Sequence, residues 1–273
     1  MNPFLKLMRP LNCLISSFSI PIVMITLFGL DLGSYQMWIY TAVGMSVVFF
    51  FTAAGNTLND YMDRETDEIN HPDRPIPSGK ISPETALIYS ASMFGIGLII
   101  SFLLERWVPQ VIVMSAIALM IVYEVRFKNE GLIGNIIISA LTGMVFVFGG
   151  SIYERLYLPS LLGLLAFMAT VGREIIKDIQ DLKGDLNRNT FPMRVGPEKA
   201  ELTASIFVIG GVLLSPLPYL LGFLSIFYLF VVLVADAIFI YSLLLLSSAK
   251  RSQKFLKLAM VVALVAFLTG GLT

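Results

Sequence analysis

Apolar residues in this chain gather into nine runs, near residues 11–31, 36–58, 83–104, 107–125, 132–151, 158–178, 200–222, 224–248 and 253–271. Each approaches the roughly 20 residues that cross a bilayer core as a helix. In lipid a segment must satisfy its own backbone hydrogen bonds, so the pattern predicts nine membrane-spanning helices and an all-α integral membrane protein. The polar stretches between the runs alternate in character. Those on one side are short. On the other side, residues 55–82 and 172–201 are long and crowded with charge.

Composition sharpens this picture. Of 273 residues, 56% are hydrophobic, and the mean hydropathy is +0.81. The formal charge is zero, yet it is unevenly placed. Of the 19 Lys and Arg residues, only Arg106 and Arg155 fall on the short-loop side. By the positive-inside rule the long-loop side is cytoplasmic. The N-terminus is then inside and the C-terminus outside. The first apolar run follows Lys6 and Arg9 and is expected to be a retained span rather than a cleaved signal. The single cysteine, Cys13, allows no internal disulfide and is expected to be a small buried residue of the first helix. The single histidine, His71, cannot build a zinc site and is expected to be loop-exposed.

The cytoplasmic side carries the candidate chemistry. In residues 55–82, Asn56, Asp60, Asp63 and Asp67 follow a spacing of 4, 3 and 4. On a helix that spacing lines one stripe. In residues 172–201, Glu174, Asp178, Asp181 and Asp185 repeat the same spacing. Like charges stacked this way repel unless something positive sits among them. Mg²⁺ suits the donors, because it prefers oxygen, takes few carboxylates and completes its shell with water and phosphates. Two such ladders facing each other would hold Mg²⁺ around a diphosphate. Arg suits phosphate oxygens through paired hydrogen bonds. Among Arg64, Arg74, Lys128, Arg173 and Lys177 we single out Arg74, Lys128, Arg173 and Lys177 as diphosphate ligands. Tyr123 and Asn135 flank Lys128 at the fourth and fifth spans. Asn135 is a polar ligand or a packing residue. Arg9 and Asn12 lie one turn apart at the entry of the first span, where Arg9 faces the site or anchors the interface. Asp236, inside the eighth span, has no evident partner in the sequence.

NTLNDYMDRETDEINHPDRPIPSGKIS and REIIKDIQDLKGD resemble the two aspartate-rich motifs of the UbiA superfamily of intramembrane prenyltransferases. The likeness runs over essentially the whole chain. MRPLNCLISS, LTGMVFVFGG and NTFPMRVG add a similarity to its archaeal digeranylgeranylglyceryl phosphate synthases. The resemblance implies one transmembrane domain over residues 1–273, with nine helices around a central cavity capped by cytoplasmic helices and loops. It implies Mg²⁺ held by Asn56, Asp60, Asp63 and Asp67 and by Asp178, Asp181 and Asp185. Asp60, Asp63, Asp181, Lys128 and Arg173 would act in catalysis. Arg9, Asn12, Asn56, Arg64, Arg74, Tyr123, Asn135 and Lys177, with Lys128 and Arg173, would bind substrates.

The implied reaction moves a geranylgeranyl group from its diphosphate to the 2-hydroxyl of geranylgeranylglyceryl phosphate, a lipid phosphate acceptor held in the membrane. Lys6, Arg9 and Lys128 are candidates for gripping the acceptor's phosphate. An aromatic acceptor, or a divalent-cation transporter using acidic helix ends, are the competing readings. Neither a nucleic-acid surface nor a protein-partner domain is visible. If the ladders hold metal for catalysis, Asp60→Ala or Asp181→Ala abolishes prenyl transfer while the detergent-solubilised protein keeps its thermal transition. Normal turnover in either variant would sink the metal assignment.

Overall fold

The computed structural model describes residues 2–29, 34–182 and 189–272. Among them the regular structure is entirely helical. The N-terminal third holds α1 (Pro3–Met8), α2 (Pro10–Ser17), α3 (Ser19–Phe28), α4 (Tyr35–Met62) and α5 (Arg64–Asn70). Then come α6 (Pro83–Ser101), α7 (Trp107–Val122), α8 (Leu132–Ile152) and α9 (Tyr157–Asp181). The chain ends with α10 (Phe191–Val195), α11 (Pro197–Leu214), α12 (Leu217–Leu220), α13 (Ile226–Leu243) and α14 (Ala249–Gly271).

Nine stretches among the described residues are long and apolar enough to cross a membrane, in the order the sequence predicts. Their outward side chains are apolar too: Trp107, Tyr157, Leu213 and Leu244 are each more than 70% exposed. Lipid accepts such a surface, whereas water would not. The eighth span is shorter than expected, because Ser225 precedes α13 and hydrogen-bonded turns occupy residues 244–248. Two others run further into polar sequence. α4 continues to Met62 and α9 to Asp181, so Asn56 and Asp60 of the first ladder and Glu174, Asp178 and Asp181 of the second ride on spanning helices.

Prolines interrupt the first span. Pro10 disfavours helical geometry at the residue before it, and Arg9 adopts φ 53°, ψ 66° between α1 and α2. Pro21 cannot donate to Ser17 and its ring crowds that carbonyl, so α2 ends at Ser17 and α3 begins at Ser19. At the end of α7 the helix widens into a π turn over Tyr123–Phe127. Such turns cluster at functional sites.

The chain forms two compact units, residues 1–21 with 33–125, and residues 22–32 with 126–273. In the first, α4 packs on α2 and α6, and Ser90 Oγ donates to Ala54 O at 2.8 Å. In the second, α9 is covered by α8, α11 and α14. Ile175 and Ile176 of α9 are fully buried with Ala200, Ala204 and Leu256. Asp236 finds its partner in this unit: Ser215 Oγ donates to it at 2.6 Å, and Tyr228 Oη donates to Ser215 O at 2.5 Å. Pairing of this kind lets a carboxylate sit inside a span.

The α8–α9 contact is made backbone to backbone. A Cβ on Gly143 would lie 2.7 Å from Gly163 O, and one on Gly163 would lie 2.7 Å from Gly143 O. Small residues at such a crossing let two membrane helices approach. Neither carbonyl can swing aside without breaking its helix, so Gly143→Val is expected to destabilise the protein by about 1–3 kcal/mol. Thermal unfolding in detergent measures this, and an unchanged transition would show that the close approach is dispensable.

Candidate active site

The first ladder is built on the end of α4. Asn56 and Asp60 lie on its last two turns, Asp63 joins α4 to α5, and Asp67 sits on α5. Asp60 and Asp67 are only 4% and 5% exposed. Two buried carboxylates on one stripe require cations. Arg9 Nη2 pairs with Asp60 Oδ1. Arg74 Nη1 lies 3.4 Å from the same oxygen and 2.5 Å from Asp67 Oδ2. One guanidinium thus clamps α4 to α5.

Both arginines are held from behind. Asn56 Nδ2 donates to Met8 O at 2.8 Å, and Cys13 Sγ donates to the same oxygen at 3.0 Å. Tyr89 Oη donates to Met8 Sδ at 2.8 Å. These contacts fix the left-handed turn that aims Arg9. Cys13 is fully buried, as expected. Arg74 sits in the loop after α5, where its N–H donates to His71 O at 3.0 Å. Lys6 Nζ donates to the neighbouring Asp73 O at 2.7 Å, and Ile76 and Ile81 pack with Leu7 and Ala86. Lys6 is therefore committed to the loop. His71 is exposed.

Three further expected ligands belong to this unit. Arg64 turns onto Tyr61, donating to its carbonyl at 2.9 Å and lying 4.7 Å above its ring, with Glu65 3.4 Å away. Asn12 is exposed on α2, and Tyr123 opens the π turn.

The second ladder occupies the last turns of α9. Glu174 is buried between Arg173, its hydrogen-bonded partner, and Lys177, 3.6 Å away. Asn135 Nδ2 of α8 donates to Asp178 Oδ2 at 2.9 Å, which supports Asn135 as a polar partner of the ladder. Asp181 is the last residue of α9. Asp185, Lys183 and Arg188 lie outside the described residues. Lys128 precedes the turn into α8, where Gly131 has φ 60° and Arg194 bonds Glu130 at 2.9 Å. Among the described residues no three His, Cys, Asp or Glu side chains form a metal-holding group.

The model of the UbiA prenyltransferase family matches residues 19–268. The chain belongs to the UbiA prenyltransferase family. This UbiA protein is a multi-pass membrane protein and a prenyltransferase. It is 39% identical over 280 residues to the digeranylgeranylglyceryl phosphate synthase of Methanosphaera stadtmanae, with 100% of both chains covered. A solved digeranylgeranylglyceryl phosphate synthase structure superposes with a TM-score of 0.87 at 34% identity, over 99% of this UbiA chain and 98% of that one. A UbiA homolog from Archaeoglobus fulgidus, solved bound to GPP and Mg²⁺, superposes at 0.68 over 96% of this chain and 99% of that one. At 19% identity it shares the fold.

Sequence reasoning passed over one polar contact in this UbiA protein. Asn59 Nδ2 donates to Glu124 Oε1 at 3.1 Å. Asn59 falls off the 4-3-4 stripe, and Glu124 looks like one more cytoplasmic-end charge. The available signal was the acid itself, one helical turn beyond Met120 on a face that is otherwise apolar.

Removing Arg74 leaves Asp60 and Asp67 short of a cation. Arg74→Ala is expected to lower stability by about 2 kcal/mol. Adding Asp67→Asn to that variant should recover part of the loss. Equal thermal transitions in wild type and Arg74→Ala would show that the clamp contributes nothing to the fold.

Proposed function

We propose that this chain catalyses Mg²⁺-dependent transfer of a geranylgeranyl group from geranylgeranyl diphosphate to the 2-hydroxyl of geranylgeranylglyceryl phosphate, a step in archaeal ether-lipid synthesis. The likeness to named digeranylgeranylglyceryl phosphate synthases, over the full length of both chains, carries this reading. The bound GPP and Mg²⁺ of the Archaeoglobus fulgidus homolog agree with it. In this reading the active site lies on the cytoplasmic face, with the N-terminus inside and the C-terminus outside.

In this reading Asn56, Asp60, Asp63 and Asp67 hold metal at the end of α4. Asp178, Asp181 and Asp185 do so at the end of α9. Bound Mg²⁺ would neutralise charge growing on the departing diphosphate. Arg9, Arg74, Arg173 and Lys177 already stand beside the ladders' acids, so their cationic groups would bind the same phosphate oxygens. Asn12, Arg64, Tyr123, Lys128 and Asn135 complete the proposed substrate contacts. The bond between C1 of the prenyl chain and the diphosphate oxygen breaks. The glycerol 2-hydroxyl oxygen then bonds to C1 and releases its proton. An allylic cation survives only where water is scarce, and the apolar spans supply that shelter. Burying the prenyl tail among them contributes about 0.8 kcal/mol per methylene relative to water.

The test is transfer from labelled geranylgeranyl diphosphate, with Mg²⁺, to geranylgeranylglyceryl phosphate and, in parallel, to 4-hydroxybenzoate. We expect label on the glycerol lipid, with EDTA abolishing the transfer. Label on the aromatic acid alone would overturn the acceptor, and transfer undiminished by EDTA would overturn the metal.

A further inference from the structure

The first turns of α14 carry Lys250, Arg251, Lys254 and Lys257, and no Asp or Glu follows Asp236 in the chain. All four side chains are exposed, and among the described residues none of them is in an ion pair. Other cations are placed differently: Arg9, Arg74, Arg173, Lys177 and Arg194 each stand beside a carboxylate. Like charges four apart on a helix repel, and cations in a first turn oppose the helix dipole. The first turn of α14 has no acid, and Ser248 makes no side-chain cap. These cations therefore weaken the helix unless an anion from outside the chain meets them.

Their register says where that anion lies. Lys250, Lys254 and Lys257 are spaced four and three, so they share one stripe. Ser252, Leu256 and Ala259, each two residues further on and so about 200° round the helix, are buried. Leu256 and Ala259 pack in one core with Ile175 and Ile176 of α9. The lysines thus point away from the unit that α14 belongs to. Along the same stripe, at spacings of four from Lys254 and Lys257, come Leu258, Val261 and Val265, all exposed. An exposed apolar stripe on a spanning helix meets lipid tails. The lysines continue that stripe past the end of the apolar sequence. Lys250 and Lys257 are about 10 Å apart along the helix, enough to cross the headgroup layer. Lysine stems lie along apolar surface while their ammonium groups reach the polar layer. Membrane topology depends on how many cations stand at a span's end, not on which side of the helix they stand. It does not account for their gathering on the lipid-facing side.

We propose that Lys250, Lys254 and Lys257, with Arg251 beside them, bind the phosphate groups of anionic membrane lipids where α14 enters the bilayer. The proposed orientation puts this end at the cytoplasmic leaflet, whose anionic headgroups attract basic residues. The headgroups supply the negative charge that the chain lacks there, and lipid thereby holds the start of α14 in place. This assignment does not rest on the prenyl-transfer reading.

The test uses full-length protein in neutral detergent micelles doped with phosphatidylglycerol or with phosphatidylcholine, and follows thermal unfolding without Mg²⁺ or diphosphate. Phosphatidylglycerol should raise the transition above that seen with phosphatidylcholine, and about 1 M NaCl should remove the difference. Lys250→Gln, Lys254→Gln and Lys257→Gln should each raise the phosphatidylglycerol needed for half the effect about fivefold. The three changes together should abolish the preference, yet the variant should unfold no earlier than wild type in detergent alone, because its first turns are relieved of repulsion. Lys250→Arg, Lys254→Arg and Lys257→Arg together should keep the preference, and Lys199→Gln at the start of α11 should leave it unchanged. A wild-type transition indifferent to phosphatidylglycerol would overturn the proposal, as would a triple Gln variant that responds as wild type does. Equal stabilisation of wild type by inorganic phosphate would overturn lipid as the ligand.

Discussion

Everything at the C-terminal end of α4 depends on Arg74 lying between Asp60 and Asp67. A helix that carries carboxylates at spacings of four and three would fray where the apolar run stops, because its own charges push it apart. One guanidinium shared between two carboxylates reverses that. It joins the last turn of α4 to α5 and lets Asp60 stay buried. Arg9 adds the second positive charge from a backbone turn that Pro10 imposes. The same charges that threaten the fold become its latch once the cations are placed. The end of α9 solves a smaller version of this problem, with Arg173 and Lys177 on either side of Glu174.

Much of this was legible before any coordinates. The number and order of spans follow from the lengths of apolar runs, since a bilayer leaves a helix few alternatives. Asn56 and Asp60 on α4, and Glu174, Asp178 and Asp181 on α9, follow from helical spacing, whereas Asp63 and Asp67 depart from it because α4 ends at Met62. Arg74 was legible as a candidate phosphate ligand and Arg9 as a cation facing the site or anchoring the interface, although their carboxylate partners were not. What stayed hidden is set by local geometry that periodicity does not encode. The break at Phe18 depends on a proline three residues later. The commitment of Lys6 to Asp73 O depends on how the loop after α5 folds back on α1. Asp236 looked unpartnered because Ser215 is 21 residues away. Asn59 and Glu124, which bond at 3.1 Å, are 65 residues apart in the chain.

The two units also differ in how chain order maps onto space. The first is assembled largely from neighbours in sequence. The second combines a short early segment with the whole second half of the chain. Its α3 meets α14 backbone to backbone: a Cβ on Gly271 would lie 2.5 Å from Ile25 O, and Thr26 Oγ1 donates to Phe267 O at 3.2 Å across 241 residues.

That long-range contact has a consequence for biosynthesis. During translation α3 leaves the ribosome long before α14, its partner here. Until α14 enters the bilayer, the tight face around Ile25 and Gly29 has only lipid or passing helices to meet, while the Thr26 hydroxyl is held by Ile22 O of its own helix at 2.7 Å. The N-terminal-first order in which chains usually fold is unavailable to this unit. Its closure waits for α14, which makes that helix the fastening of this unit.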